Sequence, residues 1–543
     1  MEWWKKGVMY QIYPRSFQDS NGDGIGDIQG IISRLNYIQS LGVDIVWLGP
    51  IYESPNDDNG YDISNYYQIH PEFGTMEDFD ELLTGMHERG IKLIMDLVVN
   101  HTSDEHRWFK ESRKSKDNPY RDYYFWRKGK NGGPPNNWKA FFGGSAWEYD
   151  ETTDEYYLHI FTKKQPDLNW DNPSVREEIY KMMRYWLDKG VDGFRMDVIS
   201  LISKRTAFEE SPEDNLMHMV YQYYANGPHI HNYLQEMYDQ VLSTYDIMTV
   251  GEGPGITAEV ALDYVGASRK ELNMLFQLDL MFIDNGPRGK FDYKPIDLRT
   301  FKKIFRDWDQ AMGKEGWNNL FLDNHDFPRM VSRYGNDQEY RNESAKMLIL
   351  FLLTMRGTPC FYMGGEIGMT NPQFFDPNDY RDIETVHYLE AILQSGGDLD
   401  HALAMVHIQS RDNVRTPFQW NNKQNAGFSE GNPWIKVNDN YPDINVLEAE
   451  KDPHSILHFF RKCIEFRKSE PIFTEGDFED LLPEDPHIFI YKRENEKSNV
   501  IVCLNFSDHF LPYPEVLKDK KLIFSNYLEM DNQLKPWEGS VFE

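Results

Sequence analysis

Eight short apolar runs of strand character, each followed by a stretch of helical period, recur along the first two thirds of the chain. They read "VMYQIYP" from Val8, "VDIVWLGP" from Val43, "IKLIMDLVVN" from Ile91, "VDGFRMDVI" from Val191, "DIMTVGE" from Asp246, "LNMLFQLDL" from Leu272, "WNNLFLDNHD" from Trp317 and "TPCFYMGGE" from Thr358. Between them lie helical spacings: Ile31, Leu35 and Ile38; Phe79, Leu82, Leu83 and Met86; Val175, Ile179, Met182 and Trp186; Phe301, Ile304, Phe305 and Trp308. Strand and helix in alternation require parallel strands joined by right-handed crossovers, and eight such units close into an α/β fold of the (β/α)8 TIM barrel type. A doubly wound open sheet competes less well, because the count reaches eight and no Gly-rich phosphate loop follows the first strand.

Two connections are too long for simple loops. The first gives the expected organisation: barrel from 1 to 101, an irregular inserted domain after strand three from 102 to 170, carrying "GKNGGPPNNWKAFFGG", and barrel again from 171 to 470. The second, about 370 to 440, is rich in Asn, Asp and Pro and suits a lid or rim on the functional face. From 471 to 543 the runs "HIFIYKRE" and "SNVIVCLNFS" predict a small C-terminal antiparallel β domain.

Charge narrows the partners. With 57 Lys plus Arg against 88 Asp plus Glu, the net charge of -31 repels nucleic acid and anionic lipid. Aromatic residues at 15% suit either an aromatic-rich core or ring faces that stack on sugar C–H surfaces. The three scattered cysteines, Cys360, Cys463 and Cys503, argue for a reducing compartment. The start lacks a secretory apolar segment and no run approaches a membrane span, so a monomeric cytoplasmic protein is expected.

In such a barrel the C-terminal strand ends carry the active site. That rule selects Asp96, Asn100 and His101 after the third run, Arg195 and Asp197 on one face of the fourth, Glu252 after the fifth, and Asn324, His325 and Asp326 after the seventh. Taken singly, a polar strand end is usually a satisfied structural group, and Arg195 with Asp197 is equally a buried ion pair. Three carboxylates beside two histidines and an arginine are costly unless they hold a cation or share a reaction. Metal ligation is one reading. Glycoside hydrolysis is the other, needing a carboxylate nucleophile and a second carboxyl group kept protonated. Arg195 would then lower the pKa of Asp197, and like-charge crowding would keep a proton on Glu252.

"DLVVNH", "GFRMDV", the glutamate of "TVGE" and "FLDNHD", with "QPDLNWDNP" from Gln165, together resemble the conserved regions of the α-amylase superfamily of glycoside hydrolases, in order and over nearly the whole chain. The resemblance implies that Asp197 is the nucleophile, Glu252 the general acid and then base, and Asp326 the holder of the sugar 2- and 3-hydroxyls. It further implies that His101 and His325 bond hydroxyls and that Arg195 orients Asp197. "DDNGYDIS" is similar to a glucose pocket, with Tyr61 under the ring and Asp58 bridged to Arg411 of "QSRDN", and Phe161 and Gln165 match further pocket positions. A surface salt bridge is the plain alternative for Asp58 and Arg411.

Within the superfamily the likeness is strongest to glucosidases acting on α-1,6 linkages, where valine follows the nucleophile as Val198 does here; threonine there goes with α-1,4 cleavage. Its plain alternative is a packing residue of a strand. The implied activity is retaining, exo-acting release of glucose from isomaltose and isomalto-oligosaccharides. Trehalose-6-phosphate hydrolysis and α-1,4 activity are the alternatives. Sucrose isomerisation is disfavoured because "LMFIDNGPRGKFDYKP" lacks the Arg- and Asp-rich segment of those relatives, and a catalytically silent transporter-associated scaffold because the three acids are kept. "FYMGGEIGM" departs from the superfamily's usual sequence around Glu366.

"DSNGDGIGD" matches the first half of an EF-hand-type loop at Asp19, Asn21, Asp23 and Gly24, whereas the twelfth position is Gly30 rather than Glu. The resemblance implies a structural calcium or magnesium ion on Asp19, Asn21, Asp23, Asp27 and the carbonyl of Ile25, and no cofactor for the chemistry.

Overall fold

Strands buried on both faces read as continuous apolar runs, and each of the eight runs forms one. The computed structural model describes residues 2–529 and 531–543. The barrel strands are β1 Met9–Ile12, β2 Ile45–Leu48, β3 Lys92–Leu97, β4 Gly193–Met196, β5 Met248–Glu252, β6 Met274–Phe276, β7 Asn318–Leu320 and β8 Thr358–Tyr362. They form a closed barrel in sequential order, with β1 against β8. The seam aligns Met9 with Cys360 and Gln11 with Tyr362. Gly193 opens β4 at φ +147°, where an added Cβ would stand 1.9 Å from the Met248 carbonyl oxygen, so only glycine lets β4 and β5 approach.

Three of the four helical spacings fold as single helices, α1 Met76–Glu88, α2 Pro173–Lys189 and α3 Leu298–Met312, whereas Ile31, Leu35 and Ile38 span two short helices, Ile28–Ser33 and Leu35–Ser40, broken at Arg34. Their ends follow capping chemistry: Asn172 accepts the Ser174 N–H, Pro173 opens α2, and Gly190 closes it in the left-handed region. A further helix, α4 Arg341–Thr354, is buried on nearly every side because α5, Ile456–Ser469, and the C-terminal sheet pack on it.

The residues cluster into two units, one of 1–46, 88–91 and 279–543, the other of 47–87 and 92–278. The first contains the expected C-terminal sheet: β9 Asp477–Asp480, β10 Ile488–Glu494, β11 Asn499–Asn505, β12 Leu522–Ser525 and β13 Gly539–Phe542, antiparallel in the order β9-β10-β11-β13-β12. It also contains Ile383–Ser395 and Leu399–Gln409, helices that the polar composition of the rim segment concealed. The second contains the insertion, which is less irregular than expected: Trp126–Arg127, Glu155–Leu158 and Trp147–Asp150 make a three-stranded antiparallel sheet.

Candidate active site

Strand β4 sets the centre of the site in the 47–87 and 92–278 unit. Its register puts Arg195 beside Asp96 on β3 and Val250 on β5. The buried guanidinium takes three carboxylates: Nη1 donates to Asp96 Oδ1 and to Asp197 Oδ1, each at 2.7 Å, and Nη2 pairs with Glu252 Oε2 at 2.9 Å. Trp47 Nε1 and the Tyr61 hydroxyl donate to the other Asp96 oxygen at 2.8 and 3.2 Å. The Trp47 ring lies 5.0 Å from the guanidinium carbon, covering the cation with an aromatic face.

One guanidinium against three carboxylates leaves surplus negative charge out of reach of water. Burial pushes the Asp197 carboxyl well above its usual range; Arg195 opposes the rise, and the charges of Glu252 and Asp96 add to it. Arg195 does lower the Asp197 pKa, as expected, but burial and the neighbouring carboxylates outweigh it, so the carboxyl stands above its usual range.

The chain turns immediately after Asp197. Val198 adopts φ +36° and ψ +41°, a left-handed conformation that is costly for a β-branched residue. The turn aims the Val198 N–H at Glu252 Oε2, 3.2 Å away, while the Asp197 N–H stays on the Leu97 carbonyl at 3.0 Å. The Val198 side chain packs with Leu201, Val220 and Tyr224, and Phe161 lies against the same cluster.

A second group forms around β3. His101 is buried, with Nε2 3.1 Å from the Tyr61 carbonyl oxygen and 3.2 Å from Gln165 Nε2, and its ring 5.1 Å from that of Phe161. Burial pushes its pKa down to about 4, so the ring is neutral at physiological pH. Gln165 Nε2 also reaches Asp58 Oδ2 at 3.3 Å. Five residues selected from the sequence, Asp58, Tyr61, His101, Phe161 and Gln165, are thereby brought together. Lys204, which sequence reasoning missed, anchors the group from below: its buried ammonium meets Asn100 Oδ1 at 2.7 Å, the Leu201 carbonyl at 2.6 Å and Asp167 at 2.8 Å.

The other unit carries its own polar group at the end of β7. His325 Nδ1 meets Gln11 Nε2 at 2.9 Å, its Nε2 lies 3.1 Å from Asp326 Oδ2, and the Tyr13 ring stacks on it. Arg415 Nη2 donates to Asp326 Oδ1 at 3.0 Å, and Arg411 Nη1 reaches the same oxygen at 3.4 Å. Arg411 is clamped from behind by Asp382 through Nε at 2.7 Å and Nη2 at 2.6 Å. Burial alone would raise the Asp382 carboxyl, but Arg411 and Arg415 hold it well below the usual range. Arg415 and Asp382 were not among the sequence candidates. The signal for Arg415 was its position one helical turn after Arg411 in "RDNVR". Glu366, in the segment that departs from the superfamily pattern, is satisfied by the Tyr10 and Tyr37 hydroxyls at 2.7 and 2.8 Å and the Gly364 N–H at 2.7 Å.

The oxygens of the N-terminal loop suit a hard cation chemically, but they are turned to the loop's own backbone. Asp19 accepts the N–H groups of Asn21, Gly22 and Gly24 and the Ser429 hydroxyl, Asn21 accepts Asp23 N–H, and Asp23 accepts Ile25 N–H. Asp27 caps the following helix through Gly30 N–H and also takes Ser20. Among the described residues no three acidic, His or Cys side chains converge to hold a metal ion. The arrangement does not by itself make an ion site, and no step of the chemistry is assigned to one.

Carboxyls paired on one arginine, neutral histidine and aromatic walls, at the C-terminal strand ends of a parallel eight-stranded barrel, define a glycoside hydrolase. The catalytic-domain model of the α-amylase family matches residues 11–476, and the chain belongs to that family. It is 55% identical to an oligo-1,6-glucosidase of Parageobacillus thermoglucosidasius over 100% of this chain and 99% of the relative. Among solved structures, a Bacillus licheniformis trehalose-6-phosphate hydrolase matches at TM-score 0.96 and 45% identity, over 100% of this chain and 99% of that one. The isomaltulose synthase of Klebsiella sp. LX3 matches at the same TM-score, 0.96, with 45% identity over 100% and 99%.

Proposed function

We propose that the chain is a retaining, exo-acting α-glucosidase that releases glucose from the non-reducing α-1,6 ends of isomaltose and isomalto-oligosaccharides. The observation that carries the linkage is Val198, the branched apolar residue beside Asp197, in a chain alike from end to end to an enzyme named oligo-1,6-glucosidase. Asp197 attacks the anomeric carbon and forms a covalent glucosyl-enzyme; Glu252 gives its proton to the departing oxygen and then takes one from water. In this reading Asp326 holds the 2- and 3-hydroxyls, and His101 and His325 bond sugar hydroxyls. Arg195 orients Asp197. Tyr61 lies under the ring, Phe161 and Gln165 line the pocket, and Asp58 and Arg411 close its far end.

The test is glucose release from a panel of isomaltose, maltose, sucrose and trehalose 6-phosphate, with isomaltose expected to dominate. Trehalose-6-phosphate hydrolysis is the second reading, favoured by the likeness to the Bacillus licheniformis enzyme, and dominant cleavage of that substrate would establish it instead. Asp197→Asn should abolish hydrolysis while the circular dichroism spectrum stays unchanged.

The finer readings belong to the same proposal: an inserted domain at 102–170, a C-terminal domain from 471, a monomer, and a cytoplasmic setting, which suits three free buried cysteines. So does a structural calcium or magnesium ion on the N-terminal loop, supported by residue type alone. Chelator should then lower the melting temperature; no change would show that the loop's hydrogen bonds, that from Ser429 included, hold it without an ion.

A further inference from the structure

In the unit of 1–46, 88–91 and 279–543, a cavity of about 490 Å³ opens where α4, the start of α5 and β12 meet. Lys346 of α4, Lys462 of α5 and Lys535 line it, and none of the three forms an ion pair among the described residues, although acidic side chains outnumber basic ones 88 to 57 in this chain. Lys346 Nζ donates to the His454 carbonyl at 2.6 Å and Lys535 Nζ to the Glu529 carbonyl at 2.7 Å. An ammonium has three protons to give, so each keeps donors for a guest. Glu343 and Glu529 also border the cavity, and neither carboxylate pairs with a lysine.

Lys462 lies close enough to Lys346 to act on it. Burial is the main force lowering the Lys346 ammonium pKa, Glu343 and Asp452 oppose it, and the charges of Arg341 and Lys462 add to the lowering. Glu343 and Asp452 offset that repulsion without bridging the lysines, and an anionic guest in the cavity would meet three ammonium groups. Part of the wall is aromatic: Phe459 and Phe524 lie 5.6 Å apart, and the Tyr527 ring sits 5.0 Å from Lys535 Nζ with its hydroxyl tied to the Pro536 carbonyl at 2.7 Å. Such faces receive the flat apolar side of a sugar or a base.

We propose that this cavity binds a small organic phosphate ester, with the phosphate held by Lys346, Lys462 and Lys535 and the ring laid against Phe524 and Tyr527. None of these residues belongs to the catalytic or sugar-binding groups described above, so the proposal stands apart from the choice of substrate. Sugar phosphates and nucleoside monophosphates share the required chemistry: an anionic end and a ring.

Calorimetric titration of the full chain with glucose 6-phosphate, adenosine monophosphate, inorganic phosphate and glucose separates the sources. At least one ester should bind saturably and raise the melting temperature, more tightly than inorganic phosphate. Lys462→Gln, at an exposed position, and Lys346→Gln should each weaken binding about tenfold, equivalent to ~1.4 kcal/mol, with glucose release from isomaltose unchanged. The proposal fails if no ester binds at millimolar concentration, or if inorganic phosphate binds as tightly as the esters. It also fails if both variants bind like the unaltered protein, which would place the ester in the catalytic pocket, where it would compete with isomaltose.

Discussion

A valine held at φ +36° stores backbone strain of ~1–3 kcal/mol, and here the strained unit is the residue between the proposed nucleophile and a hydrogen bond to the proposed acid. Its side chain is therefore fixed in direction as well as in kind. Val198→Thr should raise maltose cleavage relative to isomaltose by about tenfold, one small group at such a site being worth ~1–3 kcal/mol; parallel initial-rate measurements on both sugars give the ratio, and an unchanged ratio would reduce Val198 to packing. The identity of Val198 and the shared face of Arg195 and Asp197 were legible because strand period and motif are local. The left-handed backbone was not, since nothing about valine announces it. Nor were Asp382 and Lys204, whose partners lie 29 residues away at Arg411 and 104 residues away at Asn100.

At the scale of elements, the tie made by Lys204 joins the end of β3, the turn after β4 and the insertion residue Asp167 through one buried ammonium. Removing one partner of such a pair leaves the other charge stranded, at a cost of ~3–5 kcal/mol. Lys204→Met should therefore lower the melting temperature by several degrees, and adding Asp167→Asn should recover part of the loss; a double variant no more stable than the single would show that the pair is not the cause. The eight strands were readable because buried parallel strands leave unbroken apolar runs, and their helices because one apolar face repeats at 3.6. The sheet of the insertion escaped notice because its strands are two to four residues long among glycines and prolines. The helices Ile383–Ser395 and Leu399–Gln409 escaped because a polar segment was read by composition, although Asp382 and Asp398 cap them in the ordinary way.

For the molecule as a whole, buried carboxyls set the response to pH. Burial pushes Asp323 up to about 6, against its Met330 N–H bond and Arg329, with Glu366 adding to the rise; Asp412 also stands at about 6 and Asp62 at about 7. Between the unfolded value of 3.8 and these values the folded state keeps a proton that the unfolded chain has released, so these groups make stability fall as pH rises through that window. Asp382 acts in the opposite sense, contributing stability above its unfolded value that is lost on acidification. Asp323→Asn should raise stability at pH 7.5 by up to ~3 kcal/mol relative to the unaltered chain, with the gain vanishing below about pH 4; urea midpoints at the two pH values measure it, and an equal shift at both would exclude titration as the cause.

The seam between β1 and β8 adds a constraint of timing. Met9 finds its partner Cys360 about 350 residues later, and at the ~5–20 residues per second of ribosomal synthesis that partner emerges about 20–70 s after the first strand. Through that interval the earliest strand made has a bare hydrogen-bonding edge, so the opening residues of the chain must wait for nearly two thirds of it before the ring can shut.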